Sequence, residues 1–304
     1  MKMKMFLMAC LAIYGIQVAR AQIAIATLHH KDSVSIFSND QLQAAINKAV
    51  DGDIIYLSEG IFPAFEVGKN ITIMGTGKST VIPGTVNVKK SSSLQICNMH
   101  MTGNLHFINN GAVSGTRIMQ CVIGDMDFGV SYSENYSTIE LIMSQITGTL
   151  TLKSKVTGFT ATNSKINKIN GYGANKTAAK FINCNLLSII NQGTDLQNSY
   201  QNCIIGTISN GLYVNCLYKD GSRGTFTSCK QDADFTFDDD LNCSLTDAQL
   251  KDKKYLGTDG TVVGVTGGSM PFTLSSPLLQ VVEHILEVDG NKKKLMVTLK
   301  LGNK

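Results

Sequence analysis

Apolar positions recur at helical spacing between residues 39 and 50, at Leu42, Ala45, Ile46, Ala49 and Val50. Ser38 and Gln41 stand in the relation of a capping box, so the pattern predicts one amphipathic helix, broken by Asp51-Gly52-Asp53. The β-rich run Ile54-Ile55-Tyr56-Leu57 follows and ends at the Glu59-Gly60 turn. From Ile71 onward, short β-prone runs alternate with Gly, Asn, Ser and Asp turns, and no further helical period is visible. Near the end, residues 279–288 and 294–301 read as two strands around Asp289-Gly290-Asn291. On the second of these, Leu295, Val297, Leu299 and Leu301 alternate with polar neighbours.

The β-prone region repeats. Asn-Cys recurs at Asn183-Cys184, Asn202-Cys203, Asn215-Cys216 and Asn242-Cys243, with variants at Gln120-Cys121, Asn163-Ser164 and Ser228-Cys229. Aligning the segment from Met99 to Phe107 with that from Ser144 to Leu152 puts positions 99, 121, 144, 164, 184 and 203 in one column, with steps of 22, 23, 20, 20 and 19 residues. About twenty residues suit a coil of three short parallel strands and three turns, stacked as a solenoid. An asparagine at a stacked bend tolerates left-handed dihedrals and satisfies open backbone groups, so these asparagines form a ladder whose role is structural. Cys203, Cys216, Cys229 and Cys243 are spaced by 13, 13 and 14 residues, too few for a three-sided coil. The spacing there suggests two columns, one holding Cys203 and Cys229 and the other Cys216 and Cys243.

The whole is an all-β chain: a right-handed parallel β-helix (solenoid) with a short N-terminal capping helix and a C-terminal β-hairpin. Residues 1–21 read as a signal peptide, 22–268 as the β-helix with its cap, and 269–304 as a hairpin module. Lys2 and Lys4 precede an apolar stretch at 5–16, too short to span a bilayer, and Ala19-Arg20-Ala21 precedes the expected cleavage. Leu7-Met8-Ala9-Cys10 faintly resembles a lipoprotein box, but the apolar run continues beyond it. No later segment is apolar and long enough to span a membrane. The expected location is the periplasm, the cell surface or the exterior. Of the 27 basic groups, Lys2, Lys4 and Arg20 leave with the signal, so 24 face 23 acidic ones. Such a balance gives no electrostatic footprint for nucleic acid. Losing Cys10 leaves seven of the eight cysteines. An odd number in a periodic column points to buried thiols acting as small apolar residues rather than to disulfides.

The run from Leu42 to Gly60 resembles the opening segment of pectate-lyase-like right-handed β-helix proteins. Thr258-Asp259-Gly260-Thr261-Val262-Val263-Gly264, with Gly267-Gly268-Ser269-Met270-Pro271-Phe272, is similar to exported β-helix proteins of gut Bacteroidetes. With the repeats, the resemblance covers roughly 36–304. It implies fold and export; it implies activity poorly, because that superfamily mixes polysaccharide lyases, glycosidases, adhesins and surface proteins.

Chemistry is sparse. A lyase needs a base, often Arg or Lys, and a cation to hold the developing uronate charge. After the signal only Arg117 and Arg223 remain as arginine candidates, and Asp125 with Asp127 as carboxylates that could share a cation. Calcium is the ion these would take, although two carboxylates are few for it; no other cofactor is expected. Asp238-Asp239-Asp240, with Asp232 and Asp234, reads as a solvated acidic turn. His100 and His106 lie six apart in one coil, and His29 and His30 fall in a flexible leading segment. No set of paired carboxylates of the hydrolase kind, nucleophile elbow, phosphate loop or zinc spacing occurs. Tyr132, Glu134 and Tyr136 in one bulging turn, and Tyr172 in another, are candidate ligand-binding groups, since tyrosines beside polar groups stack on sugar rings. The reading is an exported, non-catalytic β-helix that binds glycan or displays a surface, with a polysaccharide or cell-surface glycan as partner. The alternatives are a lyase or glycosidase acting on an acidic polysaccharide, and a structural component of an envelope assembly.

Overall fold

A computed structural model describes residues 24–89, 93–108, 113–128, 138–152, 156, 158–171, 178–191, 198–274, 280–289 and 294–302. The body is a parallel β-solenoid whose coils build two 12-stranded sheets. In the first sheet, strands such as Thr116–Met119, Ile139–Ile142, Phe159–Thr162 and Lys180–Ile182 pair in parallel, each with the next coil's equivalent. In the second, His100–Phe107, Val122–Phe128, Gln145–Leu152, Lys165–Gly171 and Asn185–Asn191 do the same. These longer strands slip register in their middle, between Met101 and Asn104 and again between Ile146 and Thr149, which divides each into two flat halves. Glycine permits the division. A Cβ at Gly124 would sit 2.5 Å from the Thr102 carbonyl oxygen, and one at Gly103 2.5 Å from that of Gly84.

The corner between the two sheets carries the repeat. Asn98, Gln120, Met143, Asn163, Asn183, Asn202, Asn215 and Ser228 all adopt φ between 45° and 55°. Asparagine predominates there because its short amide lowers the cost of left-handed backbone. The next residue is small and buried: Cys121, Ser144, Ser164, Cys184, Cys203 and Cys216 line one column. Each donates to the carbonyl two residues back, Ser144 Oγ to Ile142 O at 2.9 Å and Cys203 Sγ to Gln201 O at 3.3 Å. Cys97, Cys121, Cys184, Cys203, Cys216, Cys229 and Cys243 are all free thiols. Burial pushes the Cys97 thiol up to about 11 and Cys121 further.

The column continues past Cys203 without a break, correcting the two-column reading. Ile204 pairs with Leu217, and Leu217 with Lys230, so Cys203, Cys216 and Cys229 stack directly. Cys243 lies outside the column. The 13-residue coils lose the second half of the long strand, as Ile204–Thr207 shows beside Gln145–Leu152, while the left-handed corner and small residue persist.

Inside, one continuous core runs the length of the stack. Phe107, Phe128, Phe159, Phe181, Tyr200 and Tyr213 follow one another, with Phe181, Tyr200 and Tyr213 stacked at 5.0 and 4.8 Å and interplanar angles of 10° and 11°. At the N-terminal end, the hairpin Ile25–His30 with Ser33–Ser38 pairs antiparallel against Ile54–Leu57. His29 and His30 therefore lie in a strand rather than a flexible lead, and His30 Nδ1 contacts Asp53 Oδ1 at 2.7 Å. The helix beside it spans Leu42–Lys48 after a 3-10 turn at Asn39–Gln41, burying Leu42, Ala45 and Ile46 while Val50 is exposed. Ser38 makes no cap bond to the backbone; its hydroxyl donates to Asp40 instead. The capping box forms elsewhere, at Thr246 and Gln249, and opens a second short helix, Asp247–Asp252, in the region where no helical period is visible in the sequence. Strands Gln280–Asp289 and Lys294–Gly302 pair antiparallel.

Candidate functional site

The second halves of the long strands present their outward side chains as a polar face. One row runs Asn87, His106, Asp127, Thr151 and Asn170; the next runs Asn104, Asp125, Thr149, Lys168 and Ser188. Alternation fixes this, because the intervening Leu105, Met126, Leu150 and Ile169 are buried. Asp127 sits at its centre. Its Oδ1 accepts a hydrogen bond from His106 Nδ1 at 2.5 Å, and its Oδ2 accepts from Asn104 Nδ2 at 2.5 Å. The pairing orients the imidazole and leaves Nε2 without a partner among the described residues. Asp125 Oδ1 accepts from the Thr149 backbone N–H of the next coil at 2.7 Å. A Cβ at Gly148 would fall 2.2 Å from that oxygen, so glycine there is what admits the carboxylate.

The two carboxylates proposed from sequence to share a cation are thus engaged separately, Asp125 by backbone and Asp127 by His106 and Asn104. Among the described residues no group of three His, Cys, Asp or Glu side chains could hold a metal ion. Arg117 lies on the outer side of the first sheet, where its Nε donates to Glu140 Oε2 at 2.7 Å. Arg223 is exposed in the turn after Leu217–Asp220. It lies five coils beyond Asp125, roughly 24 Å at ~4.8 Å per coil. The structure brings neither arginine to the polar face. Tyr132, Glu134, Tyr136 and Tyr172 lie outside the described residues; their segments directly follow strands Val122–Phe128 and Lys165–Gly171.

A second feature carries no periodic signal. Outward positions Val122, Gln145, Lys165, Asn185, Ile204 and Leu217, one residue past the small column, are buried because the chain returns over them. Residues 232–263 seat a small core of their own, with Phe235, Leu250, Val262 and Val263 on Ile204 and Leu217. Residues 257–273 then run back along the asparagine corner. The Thr258 N–H donates to Asn202 Oδ1 at 3.0 Å, and Asn163 Nδ2 donates to Val265 O at 3.1 Å and Gly267 O at 2.7 Å. Gln120 Nε2 reaches Thr273 O at 3.4 Å. Asn185 ties both parts: its Nδ2 donates to Leu241 O at 2.9 Å and its Oδ1 accepts from the Val265 N–H at 3.2 Å.

Beneath this covering, Lys165 is 5% exposed, with Nζ donating to Asn242 Oδ1 at 2.6 Å and lying 4.5 Å over the Phe272 ring. Burial pushes its ammonium down, and the carboxylates of Asp240 and Asp238 push it back. The acidic run is therefore a turn closed over a lysine: Asp238 accepts from the Asn242 N–H and Nδ2 at 2.7 and 2.9 Å. Asp232 accepts from Lys253 Nζ at 2.7 Å and Tyr255 OH at 2.9 Å, which holds its carboxyl down to about 2. Gln145, Lys165 and Asn185 escape sequence reasoning because their coil positions are those of a solvated surface. The one available signal is their polar identity at a register shared with Val122, Ile204 and Leu217. In comparisons with known proteins, no family model, no curated protein and no solved structure matches this chain.

Proposed function

We propose that the protein is an exported, non-catalytic β-helix of the pectate-lyase-like kind, which binds a glycan along its polar face. The observation supporting this is the face itself: two adjacent rows of amide, hydroxyl and carboxylate groups on successive coils, in register over five strands. Coils recur at ~4.8 Å, so a polymer lying across them meets a polar group at each step. Tyr132, Tyr136 and Tyr172, in segments that follow these strands, would supply rings for sugars to stack on. A lyase reading has less support, since Arg117 is engaged by Glu140 on the other sheet.

Two measurements test the reading on the mature protein. In calorimetric titration with a glycan panel, an oligosaccharide should bind and lose at least tenfold in affinity on combining Asn104→Ala, His106→Ala and Asp127→Ala. Absorbance of unsaturated uronate should stay flat with pectate, alginate and chondroitin in the presence of calcium. Binding indifferent to the triple substitution would remove the polar face as the site. A rise in absorbance would make the protein a lyase.

A further inference from the structure

The turn at 237–241 does more than close over Lys165. It walls an open cavity of about 300 Å³ on the outer side of the second sheet, opposite Gln145, Thr147 and Asn167. This cavity lies at the head of the polar face, because Thr147 shares its strand with Thr149 and Thr151, and Asn167 shares its own with Lys168 and Asn170. Its size is at the small end of ligand pockets, enough for one ring of a larger chain.

Gln145 is the telling residue. It is 3% exposed, it lines the cavity, and its side-chain amide has no hydrogen-bond partner among the described residues. Two coils along the same row, Asn185 has both ends of its amide satisfied. The Gln145 amide faces the open cavity and is not sealed from solvent, so its donor and acceptor are available to a group that enters. Around it stand complementary groups. Asn167 Nδ2 is used on Thr147 O at 2.9 Å, which leaves its carbonyl oxygen as an acceptor. Asp239 makes no hydrogen bond among the described residues. Phe237 is half-buried, its ring held edge-on by Phe235 at 5.6 Å and 83°. An aromatic ring, open amide groups and a free carboxylate acceptor suit a pyranose, with apolar C–H groups on one side and hydroxyls at the rim. Two carboxylates on the wall, Asp238 and Asp239, oppose an anionic ring by like-charge repulsion.

We propose that this cavity is a subsite for one uncharged sugar ring, so that the glycan recognised is neutral rather than uronate-based. The inference rests on the glycan-binding reading above and narrows it to a ligand class. The test is calorimetric titration of the mature protein with cellohexaose, mannohexaose, xylohexaose and hexagalacturonate. It is repeated for Gln145→Leu, Phe237→Ala and Asp239→Asn, with circular dichroism melts to verify folding. A neutral hexasaccharide should bind, and Gln145→Leu and Phe237→Ala should each weaken it at least tenfold. Hexagalacturonate should bind at least tenfold more weakly, with the gap narrowing in Asp239→Asn. Asp239→Asn is exposed and serves even if a cavity substitution unfolds the turn. Neutral binding within twofold of wild type in both cavity variants would overturn the subsite while leaving the polar face intact. Preferential binding of hexagalacturonate would overturn it too. No binding of any hexasaccharide would overturn the glycan reading and the subsite with it.

Discussion

Asn185→Ala should release the returning segment while leaving the coils standing. The amide joins a coil to two separate stretches of chain, through Leu241 O at 2.9 Å and the Val265 N–H at 3.2 Å. Alanine would orphan a buried carbonyl and a buried N–H together, and each such group costs about 1–3 kcal/mol. Some water enters the space vacated, so the lower half of the sum applies, about 3 kcal/mol. At about 1.4 kcal/mol per tenfold, the open population of the segment rises on the order of a hundredfold. Trypsin reads this directly, because Lys251, Lys253 and Lys254 lie within the covering segment. When opening is fast relative to cleavage, the nicking rate tracks the open population. Nicking at these lysines should therefore rise about a hundredfold, with the far-ultraviolet melt of the coils nearly unchanged. Asn104→Ala, whose half-buried amide donates to Asp127 far from the covering segment's anchors, serves as the control and should nick at the wild-type rate. A rise of less than threefold in Asn185→Ala would refute the reasoning, as would coils that melt in step with the nicking.

Three further outcomes follow from the same geometry. Tyr200→Ala should cost about 3–5 kcal/mol in urea unfolding, since a fully buried ring stacked on Phe181 and Tyr213 leaves a cavity between coils; a loss under about 1 kcal/mol would contradict the continuous aromatic column. Iodoacetamide at pH 8 should leave Cys121, Cys184 and Cys203 unmodified in the folded protein, because they are buried and burial raises the thiol pKa of Cys121 and Cys203. Mass spectrometry showing them labelled as fast as in urea would disprove that. The Asp232 pair should matter above pH 4 and fade toward pH 2, since a folded pKa depressed by Lys253 stabilises above the unfolded value and is lost as pH falls through the folded one. The ratio of peptic nicking in Asp232→Asn to that in wild type should thus shrink from pH 4 to pH 2, and a constant ratio would count against the pair.

The solenoid was legible because its geometry forces a periodic choice. A left-handed corner followed by a buried position with little room selects asparagine and then cysteine or serine, and Asn163-Ser164, Asn183-Cys184 and Asn202-Cys203 announce it. The register beyond Cys203 is hidden in the spacing, because steps of 13 and 14 residues fit a three-sided coil only when two are summed. A coil can drop half a strand and its following turn while keeping the corner, as the 13-residue coils do. The covering segment was illegible for a different reason. Its anchors pair residues 56 to 153 apart, Asn202 with Thr258, Asn185 with Leu241, Asn163 with Gly267 and Gln120 with Thr273, through amides that look like ordinary turn residues. Nothing periodic distinguishes Gln145 from a solvated glutamine until the chain comes back over it.

That return has a temporal meaning. The stretch from Thr258 to Thr273 travels against the direction in which the coils were laid down, from the Asn202 corner back to Gln120. A chain that folds as it emerges from its N-terminus would stack each coil on the one before it, completing these coils before the residues that clamp them have emerged. The cavity over Gln145 would thus gain its wall only after its floor of coils is laid down. A polypeptide arrested near residue 230 would carry most of the polar face and none of the wall formed by Phe237, Asp238 and Asp239. Arrival of residues 237–241, rather than coil stacking, is the event that walls the open cavity.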